Sequence, residues 1–348
     1  MNMKKAIATL LALAMCGGLL AGCSGADSGA AGAPASGSTA AGGTTILNIG
    51  TGSVGGTDNT VVEAISSVVN QKTGLKTSTI TTAGGTEIIY LLETGDIQAG
   101  YSGTIDLVNA LNGASAFEHA VDPSHMLQCF GFVTWDLPLV VLDNSGIESY
   151  EDLAGKRVGL SPVGSSTAEV LTLVLDAYGL TDSVTIENFT WNEGYTALKD
   201  GRIDAMVGSW ANGDPISGLI ELKATKGIRI LNMSEEVAAK VAEANAGVGS
   251  GTLTAKNDES IPEGETVLTP ANSGVIIADA SVDEDTMYQY TKAVLDNLEE
   301  LRGISNYFNA FEEVCMDVCV EGVPFHPGAA KALKEAGLWQ DRFTVYGE

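Results

Sequence analysis

The chain has 348 residues, with 44 Asp and Glu against 18 Lys and Arg and a formal net charge of -26. That balance excludes nucleic acid as a partner and a body lying flat on anionic lipid, since both are polyanions that an acidic surface repels. It does not select a cationic ligand, because acidic surfaces also serve solubility.

Residues 1–5 make a short basic start with Lys4 and Lys5, residues 6–15 are apolar, and Leu20-Ala21-Gly22-Cys23 follows. The apolar run is too short to span a bilayer, so residues 1–22 are expected to be a secretory signal peptide. The Leu-Ala-Gly-Cys end resembles the bacterial lipobox. This implies that Cys23 becomes the first mature residue, carries lipid, and anchors an exported chain to the outer face of the cytoplasmic membrane or in the periplasm. Residues 23–43 are nearly all Ser, Ala, Gly and Thr. They bury too little apolar surface to offset their ordering entropy, which predicts a flexible tether. The remaining body of about 305 residues is long enough for two lobes. Cys129, Cys315 and Cys319 fall in it; a bridge across the four-residue spacing of the last two would be strained, and all three are expected to be small buried thiols.

The body opens with a strand at 45–49, a glycine-rich turn at 50–57, and a helix. Thr60 and Glu63 are spaced as a capping box, and Val61, Ile65, Val68 and Val69 fall on one helical face. A strand at 78–81, a short helix stopped by Gly95, and a strand at 97–101 complete a unit. The plan then returns. It gives a strand at 157–160, a turn at 161–167, a helix at 168–178 ended by Gly179, a strand at 184–186, a helix stopped by Gly201, and a strand at 203–207. Without a gap, Leu92, Gly95, Ile97 and Ala99 overlay Leu198, Gly201, Ile203 and Ala205. Alternating strands and helices demand parallel pairing through crossovers, so the fold class is α/β, with two lobes around a cleft. The tail reads as a strand at 269–279 and one long helix at 285–301. Crossings near 132–141 and 267–277 would make lobe 1 from 44–135 and 270–348, and lobe 2 from 136–269.

Ligands of open α/β sheets bind beyond the carboxyl ends of the strands. There this chain places Gly, Ser and Thr turns opening into helices, whose first N–H groups are unpaired and sit at the positive dipole end. In the first copy the candidates are Thr51, Gly52, Ser53, Gly55, Gly56 and Thr57, with Asp58 following. Gly85 and Thr86 start the second helix, and Ser102 and Thr104 end the third strand. In the second copy Ser165, Ser166 and Thr167 open the helix, and Trp191 and Trp210 follow later strands. Trp135, Trp191 and Trp210 each suit a core or a ligand wall equally. None of these turns contains Lys or Arg, so a carboxylate would rest on backbone and hydroxyl groups. The pattern points to an anionic or zwitterionic small solute, with no cofactor and no metal, bound by a monomer.

Gly50-Thr51-Gly52-Ser53-Val54-Gly55 also fits the dinucleotide fingerprint, but Thr81-Thr82 stand where an acidic residue should follow the second strand. No G-x-S-x-G elbow, P-loop or H-E-x-x-H occurs, and His119, His125 and His326 lie away from the turns. Ser165 and Ser166 have no base near them in sequence. Binding without turnover is therefore expected.

Four stretches carry a family resemblance: residues 48–57, Leu153-Ala154-Gly155-Lys156-Arg157-Val158, residues 198–205, and Val323-Pro324-Phe325-His326-Pro327-Gly328-Ala329-Ala330. Together they resemble the TAXI family, the solute-binding proteins of TRAP-type secondary transporters. The resemblance implies a type II periplasmic-binding fold, capture of small organic acids such as glutamate or 2-oxo acids, and delivery to a sodium-coupled TRAP membrane permease. It assigns binding to Thr51, Gly52, Ser53, Gly56 and Thr57 and to Ser165, Ser166 and Thr167. An ABC-importer binding subunit or a solute-sensing lipoprotein would share the fold. Two departures bear on the ligand. Asp58-Asn59 stands where the family usually has an aromatic residue, and Tyr101-Ser102-Gly103-Thr104 stands where Gln-Ser-Asp is frequent. A carboxylate at position 58 favours a ligand with an amino or hydroxyl group. His326, in a proline- and glycine-bounded loop, is expected to pack the C-terminal helix.

Overall fold

The computed structural model describes residues 46–348, and Thr44–Glu348 forms one compact unit. The expected signal peptide (1–22), Cys23 and the expected tether (23–43) lie outside the described residues. In chain order the strands are β1 (Ile46–Thr51), β2 (Lys76–Thr81), β3 (Ala99–Gly103), β4 (Leu127–Asp136), β5 (Leu139–Leu142), β6 (Arg157–Leu160) and β7 (Thr185–Asn188). They continue as β8 (Ala205–Val207), β9 (Trp210–Ala211), β10 (Asp214–Pro215), β11 (Ile228–Ile230), β12 (Gly249–Thr254) and β13 (Thr266–Ala278). The helices are α1 (Thr57–Lys72), α2 (Gly85–Thr94), α3 (Thr104–Asn112), α4 (Ser166–Ala177), α5 (Trp191–Lys199) and α6 (Ser217–Lys223). After them come α7 (Glu235–Ala244), α8 (Glu284–Asp296), α9 (Leu298–Ile304), α10 (Phe311–Val314) and α11 (Pro327–Glu335).

The duplication seen in the sequence is present in the pairing. β1 lies between β2 and β3, all parallel, and β6 lies between β7 and β8, all parallel. The register agrees as well: Ala99 faces Ile49, and Ala205 faces Val158. Both central strands need a glycine for the same reason. A Cβ on Gly50 would stand 2.9 Å from Ile97 Cδ1, and one on Gly159 would stand 2.5 Å from Ile203 Cδ1. Each copy is then flanked by an antiparallel strand, β13 beside β3 and β5 beside β8. The first sheet runs β10-β9-β4-β13-β3-β1-β2 with β12 on β13, and the second runs β11-β5-β8-β6-β7.

The chain passes from the first sheet to the second at Leu137 and Pro138, between β4 and β5 and inside the stretch 132–141. A further passage, not anticipated, runs back at Gly208 and Ser209 between β8 and β9. Residues 267–277 lie within β13 of the first sheet, and residues 210–215 and 249–254 also pair into that sheet.

Helix ends follow local chemistry. Gly95, Gly179 and Gly201 adopt left-handed φ values of 78°, 70° and 70° just past α2, α4 and α5, where a residue with a Cβ would be strained. Two boundaries differ from the sequence reading. α1 begins at Thr57, so Thr60 and Glu63 form no capping box; Thr60 Oγ1 donates to Gly56 O (3.2 Å) and Glu63 accepts from Thr79 Oγ1 (2.7 Å). The long tail helix is two helices, because Asn297 leaves helical geometry (φ -124°, ψ 26°) and donates its side-chain amide to Ala293 O (2.9 Å). His326, expected to pack the C-terminal helix, caps α11: Nδ1 accepts from Gly328 N–H (3.2 Å), and Nε2 pairs with Val282 O (2.9 Å). Cys129, Cys315 and Cys319 are buried and unbridged. Among the described residues no helix is long and apolar enough to cross a membrane.

Candidate functional site

The turns beyond the carboxyl ends of both parallel triplets converge on one small cavity. Ser53, Thr57, Asp58, Ala83, Tyr101 and Trp135 line it from the first half. Ser161, Pro162, Ser165, Ser166, Thr167 and Trp191 line it from the second, and Ser209 and Ile216 come from the passage back between the sheets. The enclosed space is about 20 Å³, little more than one water molecule needs. The N-termini of α1 and α4 both open onto it, as the strand-end rule requires.

The two halves touch directly. A Cβ on Gly84 would sit 2.7 Å from Ser165 Cα, and one on Gly103 would sit 2.5 Å from Ser166 Cβ and 2.6 Å from Asn272 Nδ2. Only glycine permits these approaches. The Ser166 hydroxyl donates to the Asp106 carboxylate, which also accepts from Thr86 Oγ1 (3.0 Å) and Gly103 N–H (3.2 Å). One carboxylate thus ties α3 and the start of α2 to the start of α4.

Two buried acids dominate the electrostatics. Burial pushes the Asp58 carboxyl up to about 6, against the opposing pull of nearby N–H groups and the Tyr101 hydroxyl. Burial likewise pushes Asp106 up to about 7, although Ser166 and Thr86 favour its charged form. Tyr101 is raised by burial and by both carboxylates. Asp58 Oδ2 and Thr57 Oγ1 are buried without a hydrogen-bond partner of proper geometry. None of the lining residues is Lys, Arg or His.

Of the sequence candidates, Ser53, Thr57, Asp58, Ser165, Ser166, Thr167 and Trp191 line the cavity. The others stand behind it or between the halves. Thr51 is buried, with its carbonyl accepting from Thr82 and its hydroxyl from Asn59 (3.3 Å). Gly52 and Gly56 make room for the Asp58 carboxylate, which a Cβ at either would meet, and Gly55 faces Asn192. Gly85 packs on Asp106 and Ser166, and Thr86 holds Asp106. Ser102 turns away and donates to Gly103 O (3.2 Å). Thr104 Oγ1 lies 2.8 Å from Asn272 Oδ1 and 2.5 Å from Gly247 O. Trp210 is fully buried.

Sequence reasoning missed Tyr101, Asp106, Ser161, Ser209 and Ile216 as site residues and left Trp135 open. For Tyr101 a signal existed. Alternate residues of a strand face opposite sides, so Tyr101 and Gly103 share the face that Ser102 does not. Ser209 and Ile216 belong to the unanticipated passage and carried no local signal.

Comparison with known proteins places this geometry. Among solved structures, MatC from Rhodopseudomonas palustris with bound malate matches at a TM-score of 0.51 and 11% identity, over 76% of this chain and 88% of that one. A protein of Bordetella bronchiseptica RB50 matches at 0.50 and 18%, over 86% and 90%. The periplasmic aliphatic sulphonate binding protein SsuA from Escherichia coli matches at 0.42 and 14%, over 78% and 80%. The mixed α/β fold is shared with the first two of these structures, with two sheets and their helices arranged consistently with the two-lobed type II form. The NMT1-like family model matches residues 49–337, from within β1 to just past α11, and the chain therefore belongs to the NMT1-like family.

Proposed function

We propose that this protein is an extracytoplasmic solute-binding lipoprotein that captures a small organic acid or amino acid and delivers it to a TRAP membrane permease. The observation that carries the reading is the convergence of two helix N-termini, one from each half, on a hydroxyl-lined cavity between two α/β sheets. Such a site offers backbone N–H groups to a carboxylate. The resemblance of residues 48–57, 153–158, 198–205 and 323–330 to TAXI proteins supports the TRAP partner, and Leu20-Ala21-Gly22-Cys23 supports lipid attachment through Cys23.

Capture proceeds by cleft closure. A cavity of about 20 Å³ is too small for an amino acid, so the halves separate to admit one. The half built on the first sheet and the half built on the second rotate about the chain passages that join the sheets. Residues 210–215 and 249–254, placed in lobe 2 (136–269) by the sequence reading, move with the first sheet into which they pair, as does lobe 1 (44–135 with 270–348). Solute held by one lobe gains the second lobe's donors on closure, and that difference in affinity shifts the population.

A thermal-shift screen of residues 44–348 against amino acids, 2-oxo acids and dicarboxylates tests the reading. A ligand at a thousandfold excess over Kd adds about 4 kcal/mol of stability, which gives a clear rise in melting temperature. A flat response to every small acid overturns the acid-binding reading.

A further inference from the structure

The cavity is lined by one carboxylate, Asp58, and by no Lys, Arg or His; a second buried carboxylate, Asp106, lies behind Ser166. Asp106 is satisfied by Ser166, Thr86 and Gly103. Asp58 is not: it is 8% exposed, it lines the cavity, and its Oδ2 has no hydrogen-bond partner. Thr57 Oγ1 beside it is equally unpartnered. A buried carboxylate oxygen without a partner is costly unless the group takes up a proton or a cation, and the nearby N–H groups and the Tyr101 hydroxyl offset that cost only in part. Gly52 and Gly56 are the residues whose missing side chains make room for it. Across the cavity the first turn of α4 presents the opposite polarity. There the Ser166 and Thr167 N–H groups have no intrahelical acceptor, and Ser161 and Ser165 add hydroxyls.

We infer that the solute carries a cationic nitrogen, most simply a primary ammonium, received by Asp58 Oδ2 beside Tyr101, while its carboxylate rests on the N-terminus of α4. The inference rests on the solute-binding reading above and narrows it to amino-acid-like solutes over 2-oxo acids and plain dicarboxylates. Trp135, edge-on to Tyr101 at 6.3 Å between ring centroids, and Trp191 wall the site and bring an aromatic face to a cation.

The test is calorimetric titration of the purified chain with matched pairs: L-glutamate and 2-oxoglutarate, L-alanine and pyruvate, L-leucine and 4-methyl-2-oxopentanoate. At neutral pH the best-binding amino acid should bind at least about tenfold more tightly than its 2-oxo partner, and Asp58→Asn should erase the difference. The unmodified chain supplies a second readout if that variant folds poorly. Asp58 must be ionised to receive an ammonium, so amino-acid affinity should fall about tenfold per pH unit below about 6. Tyr101 is the other titratable group lining the site, and Asp106 lies behind Ser166, hydrogen-bonded to it. A 2-oxo acid that binds as tightly as its amino partner, or more tightly as the pH falls, overturns the inference and leaves the solute-binding reading standing. Binding by neither class up to about 10 mM sinks both.

Discussion

The two copies of the strand-helix unit share pairing and register but differ where their helices begin. In the second copy Ser165 caps α4 by accepting from Ala168 N–H (3.2 Å), and Thr190 with Glu193 caps α5 (2.7 Å between side chains). In the first copy glycines hold both cap positions, Gly56 before α1 and Gly84 before α2, and neither helix has a side-chain cap there. The unpartnered Thr57 and Asp58 atoms stand at the start of α1. At its helix starts the second copy has settled its polar groups within the fold. The other leaves them open toward the shared cavity. Where two copies of one plan diverge in this way, the unsettled copy is the place to look for recognition, and the settled one is the platform that closes on it.

The largest test of that division concerns Trp210, which follows the second copy as Thr104 follows the first. Both were candidates for ligand contact, and the structure places both in packing. Trp210→Ala should cost about 3–5 kcal/mol of stability by chemical denaturation, whereas Trp191→Ala, on the cavity wall, should cost markedly less. Comparable losses would erase the distinction between wall and core.

Next comes pH. Burial raises Asp58 to about 6 and Asp106 to about 7 from a usual 3.8. A carboxyl that holds its proton more tightly when folded contributes stability that is complete below about pH 4 and lost as the pH climbs through those values. Asp58→Asn should therefore gain on the unmodified protein between pH 4 and 8, by up to about 3 kcal/mol. Parallel melting curves across that range would contradict an acid raised by burial in the first copy.

A smaller effect is expected from Gly103→Val, which drives a side chain into Ser166 and Asn272. Overpacking of about 1–3 kcal/mol falls partly on the first half itself, through Asn272 of β13, and partly on the closed form, through Ser166. The radius of gyration from small-angle scattering should rise, and an unchanged value would mean that the halves do not part there. Smallest is Ser165→Ala, which removes the α4 cap and should cost about 1 kcal/mol, seen as a modest fall in melting temperature. The matching helix in the first copy has no such cap to lose.

Much of this fold was legible because its punctuation is steric. Gly95, Gly179 and Gly201 end helices in conformations that other residues avoid, and Ile97 and Ile203 each demand a glycine strand beneath them. Both kinds of constraint leave a residue-type mark at a fixed spacing. The break at Asn297 left none, since the apolar spacing of 285–301 continues through it. The site was legible where turns supply it, as at Ser53, Thr57, Asp58 and 165–167. It was illegible where tertiary approach does, as with Asp106 reaching Ser166. Several expected ligand contacts, Gly85 and Thr86 among them, instead let one half come close to the other. A sequence marks a glycine-rich close approach without saying what approaches.

The three buried cysteines all sit in the half built on the first sheet. Cys129 is in β4, and Cys315 follows α10, its carbonyl taking the Gly131 N–H at 2.7 Å. Burial lifts the Cys315 thiol to about 11 and the other two higher still. Because only the thiolate attacks, these sulfurs stay silent toward a soluble disulfide dye at neutral pH until the surrounding packing lets go. The rate of colour release from the body is then a built-in clock that ticks only when this one half breathes.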